Sequence, residues 1–455
     1  MLDDAIRLAA AGRDQAEADL FEELRIPSVS ALPDHAADVR RNAEWLRARF
    51  DRLGMTTSLA DVPGGRHPVL QGDLVVDASL PWLTIYGHYD VQPADPLDLW
   101  ETPPFEPTVR DGHVYARGSS DNKGNHMAAL KAVEYAVRAG GLPVNVRFLI
   151  EGEEEITGEA LGRYARDHAP RLGTDYILVW DGGFTDEDEP SIVTGLRGIL
   201  YVELTARGPA IDLHSGSFGG VAPNPLNSLA HVLSGLKGRD GRITVPGFYD
   251  DVVTPSDAER AAWRKDEAYA ERLQSMSGAR VLEGEAEYAP VERQWMRPTL
   301  DVHGVLGGFV GDGEKTVIPA TAMAKVSMRL VPNQDPDAIE PRLREYVNEL
   351  STPGVEIEVT RLGASRPVLC GADHDAARAA NAAFRAAFGT EAKLVRAGGS
   401  IPVAIDLQEA LGAQMVVGGL AQPGAGAHSP NERFSLDHYH RGTEMLIRFI
   451  YGLGS

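Results

Sequence analysis

Acidic and imidazole side chains stand where short apolar runs of the chain end. His88 and Asp90 close TIYGHYD, and Asp121 lies in RGSSDNKGN just ahead of a helical run. Glu151, Glu153, Glu154 and Glu155 follow VRFLI, Asp181 follows YILVW, and His428 lies in GAHSPNE after MVVGG. Imidazole and carboxylate together suit Zn²⁺, Mn²⁺ or Co²⁺ rather than Ca²⁺. Two histidines with several carboxylates suffice for two ions sharing one bridging carboxylate. Such a pair, about 3.5–4 Å apart, polarises both a carbonyl and a water. Taken singly, each motif has a plainer reading: a strand-end Asp or His ordinarily caps a loop, and EGEEE ordinarily forms a solvated charged surface. The weight lies in their common place, since ligands of open α/β sheets bind beyond the carboxyl ends of the strands.

The elements that must carry these residues are legible as periodicities. PWLTIYGH, NVRFLIEG and DYILVW read as buried strands, and NHMAALKAVEYAVRAGG as a helix stopped by glycines. Over 36–53, Val39, Leu46, Phe50 and Leu53 form one helical stripe that Gly54 ends. Alternating strands and helices predict an α/β sheet covered on both faces. Near 197 the pattern changes. GILYVELTAR, TAMAKVSMRLV and VEIEVTRL alternate with period two, as in a half-exposed antiparallel sheet. A helical run follows Pro225, and the polar segment 255–297 reads as mostly helical and exposed. After about 364 the first style returns with DAARAANAAFRAAF, MVVGG and a final helix from 436. The expected organisation is a discontinuous α/β domain, 1–197 and 364–455, with an α+β domain, 198–363, inserted.

Bulk properties bound the partners. The 455 residues exceed one ordinary core. A formal charge of −22 argues against nucleic acid or an anionic membrane as partner. Cys370 is the single cysteine, so no internal disulfide forms, and it reads as a small buried hydrophobe. Met1–Leu20 has neither the basic start nor the apolar run of a signal peptide, and no stretch is long and apolar enough to span a membrane. A soluble cytoplasmic protein is expected.

GHYDVQP, GSSDNKG, EGEEEITG, DLHSGSFGG, RLVPN, GGSIPV and AHSPNE, in this order, resemble the motifs of M20 metallopeptidases, and most of all the carnosinase-like dipeptidases. The resemblance runs from about residue 15 to the C-terminus and is weakest over 235–300. It implies an α/β/α catalytic domain of zinc-exopeptidase type with an inserted lid and dimerisation domain. It implies two divalent ions per subunit, zinc first, with manganese or cobalt as alternatives. Asp121 would bridge them, with His88 and Asp181 on one ion and Glu155 and His428 on the other. Asp90 would orient His88, and a cis peptide would join Asp121 to Asn122. Glu154 would be the general base.

The substrate residues carry over likewise. Arg329 would clamp a C-terminal carboxylate, with Gly399 and Ser400 in a backbone-rich loop near it. His214 would stabilise the oxyanion, reaching the active site of the other subunit of a homodimer, with Thr316 on the same side. Without the resemblance, Arg329 reads as a strand-end surface arginine, His214 as a loop histidine and Ser400 as part of a turn. The implied function is hydrolysis of dipeptides or similar small amides bearing a free C-terminal carboxylate. The alternatives are an aminoacylase, carboxypeptidase or deacylase acting on N-acyl amino acids, and, remotely, a metal-binding protein without activity. Glu153 departs from the family pattern, which has a small or apolar residue there, and is expected to point to solvent.

Overall fold

The structure, a computed structural model, describes residues 1–156, 158–397 and 401–454. It divides into two compact units. The first comprises Met1–Thr194, Cys370–Val395 and the segment from Ile401 onward; the second comprises Gly195–Leu369 with the segment beginning at Arg396. The division is displaced from 197/198 and 363/364, where the sequence pattern changes. Periodicity marks where a strand begins to alternate, whereas contacts decide the unit it belongs to.

The first unit is built on a twisted sheet whose middle strands run in the order Asn145–Glu151, Trp82–His88, Tyr176–Gly183, Gln414–Ala421, all parallel. Val69–Leu74 adds antiparallel to Asn145–Glu151, and Thr56–Ala60 adds outside it. Val146, Phe148, Ile150, Leu178, Trp180 and Val416 join one core with Met127, Val133 and Leu446 of the helices Gly124–Arg138 and Leu436–Leu453. The alternate residues Leu149, Ile177, Val179, Met415 and Val417 are equally buried. Both faces are therefore covered, which is why these strands read as continuous apolar runs rather than alternating ones.

The parallel register sets up the site. His88 pairs with Glu151, and Tyr86 pairs with Val179, so continuing that pairing two residues further brings His88 level with Asp181. All four middle strands end on the same edge, where their carboxyl-terminal residues and the following loops gather.

The second unit has a four-stranded antiparallel sheet in the order Thr299–Gly307, Thr321–Leu330, Gly198–Arg207, Glu356–Ser365. Leu200, Val202, Leu204 and Ala206 point into a core shared with Leu229 and Val232 of Pro225–Leu236 and with Leu343 and Val347 of Pro336–Leu350. The strand's intervening residues are only partly buried, as period-two alternation requires. The segment expected to be helical and exposed does contain the helices Asp257–Trp263, Tyr269–Ser277 and Pro290–Met296. It is not merely exposed. Trp263 and Trp295 are buried edge to face at 5.7 Å. Buried Glu292 accepts from Arg260 at 2.7 Å and Arg264 at 2.8 Å, and Arg297 forks onto Glu285. The polar composition misled because its charges pair with one another over a small aromatic core. Among the described residues, no helix is long and apolar enough to cross a membrane.

Candidate metal centre

His88 ends a strand that is buried along nearly its whole length, so its position follows from the sheet. Its Nδ1 lies 3.1 Å from the Asp90 carbonyl oxygen and 3.4 Å from Asp90 Oδ1, leaving Nε2 to face the sheet edge. Asp90 is fully buried, and its Oδ2 accepts from Ser30 Oγ at 2.7 Å and from the Glu155 backbone N–H at 3.1 Å. One carboxylate thus touches the groups that set both His88 and Glu155.

Asp121 sits where the turn Ser119–Lys123 leaves helical geometry, with φ −126° and ψ 92°, and the Asp121–Asn122 peptide is cis. Asn122 then bridges two strands: its Nδ2 donates to Asp181 Oδ1 at 2.7 Å and to the Trp180 carbonyl at 2.8 Å, and its Oδ1 accepts from the His88 N–H at 3.3 Å. His428 lies in a loop with four residues in the left-handed region, Gly424, Gly426, His428 (φ 62°) and Asn431 (φ 60°). Only two of these are glycine. The conformation of His428 is therefore held by its surroundings rather than chosen freely.

These elements bring five side chains together. His88 Nε2 lies 3.1 Å from Asp121 Oδ1 and 3.6 Å from Asp181 Oδ1. His428 Nε2 lies 3.0 Å from Asp121 Oδ2 and 3.1 Å from Glu155 Oε2. Two ligand sets result, His88–Asp121–Asp181 and Asp121–Glu155–His428, and Asp121 gives one oxygen to each. Two donors about 2.1 Å from a tetrahedral ion lie roughly 3.4 Å apart, so separations of 3.0–3.6 Å fit a metal in either set. The chemistry fits as well. Among the described residues, no lysine or arginine pairs with Asp121, Glu155 or Asp181, and crowded carboxylates without a cationic side chain suit a bound cation.

The proton affinities carry the same signature. Burial opposes a charged His88, yet Asp181, Asp121 and Asp90 raise its pKa well above the usual histidine value. Hydrogen bonds to Asp121 and Glu155 push His428 up to about 10. Burial would raise Asp121, but the two imidazoles hold it below the usual carboxylate range. Burial, together with the like charges of Asp181, Glu155 and Asp121, raises Glu154 well above the usual value against the pull of His88. The potential that draws protons to these imidazoles draws a divalent cation too, and the two compete.

The remaining predicted residues are distributed as follows. His214, Thr316 and Arg329 belong to the second unit. His214 pairs with Val317 across a short ladder, and Ser215 donates to the Thr316 carbonyl at 3.0 Å, so His214 and Thr316 are neighbours there. His214 is exposed, and its Nδ1 accepts from the Gly216 N–H at 3.0 Å. Arg329 lies half-buried between Thr299 and Ile199. Arg197, not singled out in the sequence, stands close enough that burial and the like charge of Arg329 lower its pKa to about 10. Gly399 and Ser400 lie outside the described residues.

Glu153 corrects the solvent expectation. It is buried and accepts from the backbone N–H groups of Arg66 and, at 2.7 Å, His67, so it anchors the loop before Val69 rather than pointing outward. Cys370 is buried, and burial alone pushes its thiol up to about 12, away from nucleophile behaviour. Sequence reasoning named Asn122 only as the partner in the cis peptide and missed its bridging role, and it missed Gln92, whose Nε2 donates to Glu155 Oε2 at 2.8 Å, and the buried Glu23–His126 pair, in which His126 Nδ1 meets the His88 carbonyl at 3.0 Å. For Asn122 and Gln92, proximity to Asp121 and Asp90 in the chain was the one available signal.

The family model for peptidase family M20/M25/M40 matches residues 84–452. The chain belongs to this family. It is 30% identical to a Cys-Gly metallodipeptidase of Schizosaccharomyces pombe, over 97% of this chain and 96% of that one. It is 32% identical to the human Beta-Ala-His dipeptidase, over 93% of this chain and 86% of the relative. Among solved structures, an M20 family metallo-carboxypeptidase from Sulfolobus solfataricus superposes with a TM-score of 0.88 at 32% identity, covering 96% of this chain and 99% of that one.

Proposed function

We propose that this M20 member is a two-metal dipeptidase, zinc-loaded, that hydrolyses dipeptides or similar small amides bearing a free C-terminal carboxylate. The observation that carries the reading is the pair of ligand sets sharing Asp121, with Glu154 beside them. The dipeptidase names of relatives that align along nearly the whole chain support the substrate class. The metal pair, when bound, supplies Lewis acidity that polarises the scissile carbonyl and acidifies a water.

The rest falls to side chains. Asp90 holds the His88 ring so that Nε2 is left free, and His88 would hold one ion through that nitrogen. Glu154 takes the proton of the attacking water and returns it to the leaving amine. Its proton affinity is raised above that of an ordinary carboxylate by burial and neighbouring carboxylates, which suits a group that must both accept and donate a proton. His214 donates to the developing oxyanion. Because its Nδ1 already accepts from Gly216, its proton sits on Nε2, the nitrogen free to donate. Arg329 pairs with the substrate carboxylate through its planar fork, with Thr316 and the loop of Gly399 and Ser400 lining the same end. The inserted unit acts as a lid and as the dimer contact, and His214 serves the partner subunit's site. One thiol and no disulfide accord with a cytoplasmic setting.

Metal-free protein reloaded with Zn²⁺ or Mn²⁺ should cleave free dipeptides, leave carboxyl-amidated dipeptides largely uncut and show little activity on N-acyl amino acids. Cleavage of N-acyl amino acids with dipeptides untouched would overturn the substrate class. For the shared site, mixing inactive His214→Ala with inactive Glu154→Gln subunits should restore part of the activity. No recovery after confirmed subunit exchange would reject it.

A further inference from the structure

Three of the candidate metal ligands, Asp121, Glu155 and His428, lie off the strands, and a single carboxylate ties the Asp121 and His428 loops together. Glu432 is fully buried. Its Oε2 accepts from Arg117 Nη1 at 2.8 Å and from the Gly118 N–H at 2.8 Å. Its Oε1 accepts from the Ser120 N–H at 2.8 Å, Ser120 Oγ at 3.0 Å and the Asp121 N–H at 3.0 Å. Its own carbonyl accepts from Ala116 N–H at 3.1 Å. Every partner is a donor, so the group suits an ionised carboxylate and neither an acid nor an amide.

The other side of Glu432 leads to His428. Arg433 N–H donates to the Ala425 carbonyl and Ser429 N–H to the Gly426 carbonyl, each at 2.8 Å, closing the loop that holds His428. Asn431 pins the same loop, accepting from the Glu101 N–H at 2.9 Å and donating to the Leu99 carbonyl at 2.8 Å. Pairing of Arg433 with Tyr115 brings residue 432 against the start of the Asp121 turn. Arg117 reaches only Oε2, whereas the backbone N–H groups of Gly118, Ser120 and Asp121 between them engage both oxygens.

We propose that Glu432 is a positioning residue for both ligand loops: it fixes where the Asp121 backbone, and with it both carboxylate oxygens of Asp121, stands relative to His428. The proposal rests on the two-metal reading above. In Glu432→Gln, one oxygen becomes an NH₂ that faces at least two of these donors. Competition of Zn²⁺ between the full-length metal-free protein and a chelator should then show at least one of the two metal equivalents weakened by about 10–100-fold, the range for lost outer partners of ligands. Turnover should fall and recover with excess metal, with KM little changed. Glu292→Gln, in the second unit, is the control: it removes an equally buried carboxylate that accepts from Arg260, Arg264 and the Ala289 N–H, and should lower Tm without altering metal affinity.

If Glu432→Gln lowers Tm yet binds both equivalents at wild-type affinity, Glu432 is only structural and the proposal fails. If that variant does not fold, Ser120→Ala, which removes the hydroxyl donor to Oε1, should show a smaller loss in the same direction; wild-type affinity there overturns the proposal equally. Wild-type protein that binds no Zn²⁺ would overturn the two-metal reading, and this proposal with it, whereas a defect-free Glu432→Gln alongside metal-binding wild type rejects this inference alone.

Discussion

Replacing Asp90 by Asn tests the idea that one buried carboxylate orients a ligand of each metal. Oδ2 of Asp90 accepts from two donors, Ser30 Oγ and the Glu155 N–H, and Oδ1 lies 3.4 Å from His88 Nδ1. An asparagine that keeps its oxygen toward the two donors turns its NH₂ toward His88 Nδ1. That arrangement favours an unprotonated Nδ1 and a proton on Nε2, the nitrogen that must be free to ligate. The flipped amide keeps the tautomer but sets NH₂ against Ser30 and Glu155. Either pose loses a partner to a ligand. The loss is bounded, because the Asp90 carbonyl oxygen, 3.1 Å from His88 Nδ1, is retained. Metal affinity should therefore fall by about 10–100-fold, which is roughly 1.4–2.7 kcal/mol. Chelator competition with Zn²⁺, fitted to two sites, measures it, with circular dichroism confirming the fold. Both equivalents binding as in wild type would refute the reasoning, since the buried carboxylate would then be irrelevant to ligand orientation.

Two further outcomes are expected. Glu154→Gln should retain both metals, because Glu154 belongs to neither ligand set, while turnover falls by about 10²–10⁴-fold; near-wild-type turnover would remove Glu154 from the mechanism. His428, pushed up to about 10, carries a proton at pH 7 that must leave when a metal binds. Affinity should rise with pH as pH climbs from 7 toward 10, and Mn²⁺ titrations near pH 7 in buffers of different ionisation enthalpy should reveal released protons. Heats independent of buffer would contradict it.

The difference between what could be read along the chain and what could not follows the range of the interactions. Trp82–His88, Asn145–Glu151, Tyr176–Gly183 and Gln414–Ala421 were visible as apolar runs because burial on both faces leaves an unbroken local pattern. Residues at or near strand ends, such as His88 and Asp181, were legible for the same reason, since a strand's end is a local event and a parallel sheet puts such ends on one edge. Glu153 was misjudged because a run of glutamates looks solvated, and nothing nearby in sequence reveals the Arg66 and His67 N–H groups that bury it. The aromatic core under 255–297 was hidden by paired charges in the same way.

By itself, then, the sequence determined the candidate ligand types, the strands that carry them and the change from a doubly covered sheet to a half-exposed one. Those properties depend on side-chain identity and short periods. Only the tertiary structure decided that Asp121 offers one oxygen to each ligand set, that Asn122 joins the His88 and Asp181 strands, and that Glu432 gathers the N–H groups leading to Asp121. Each of these depends on hydrogen bonds between segments tens to hundreds of residues apart. Such bonds are directional over about 3 Å, and no local pattern specifies a distance that short across a separation that long.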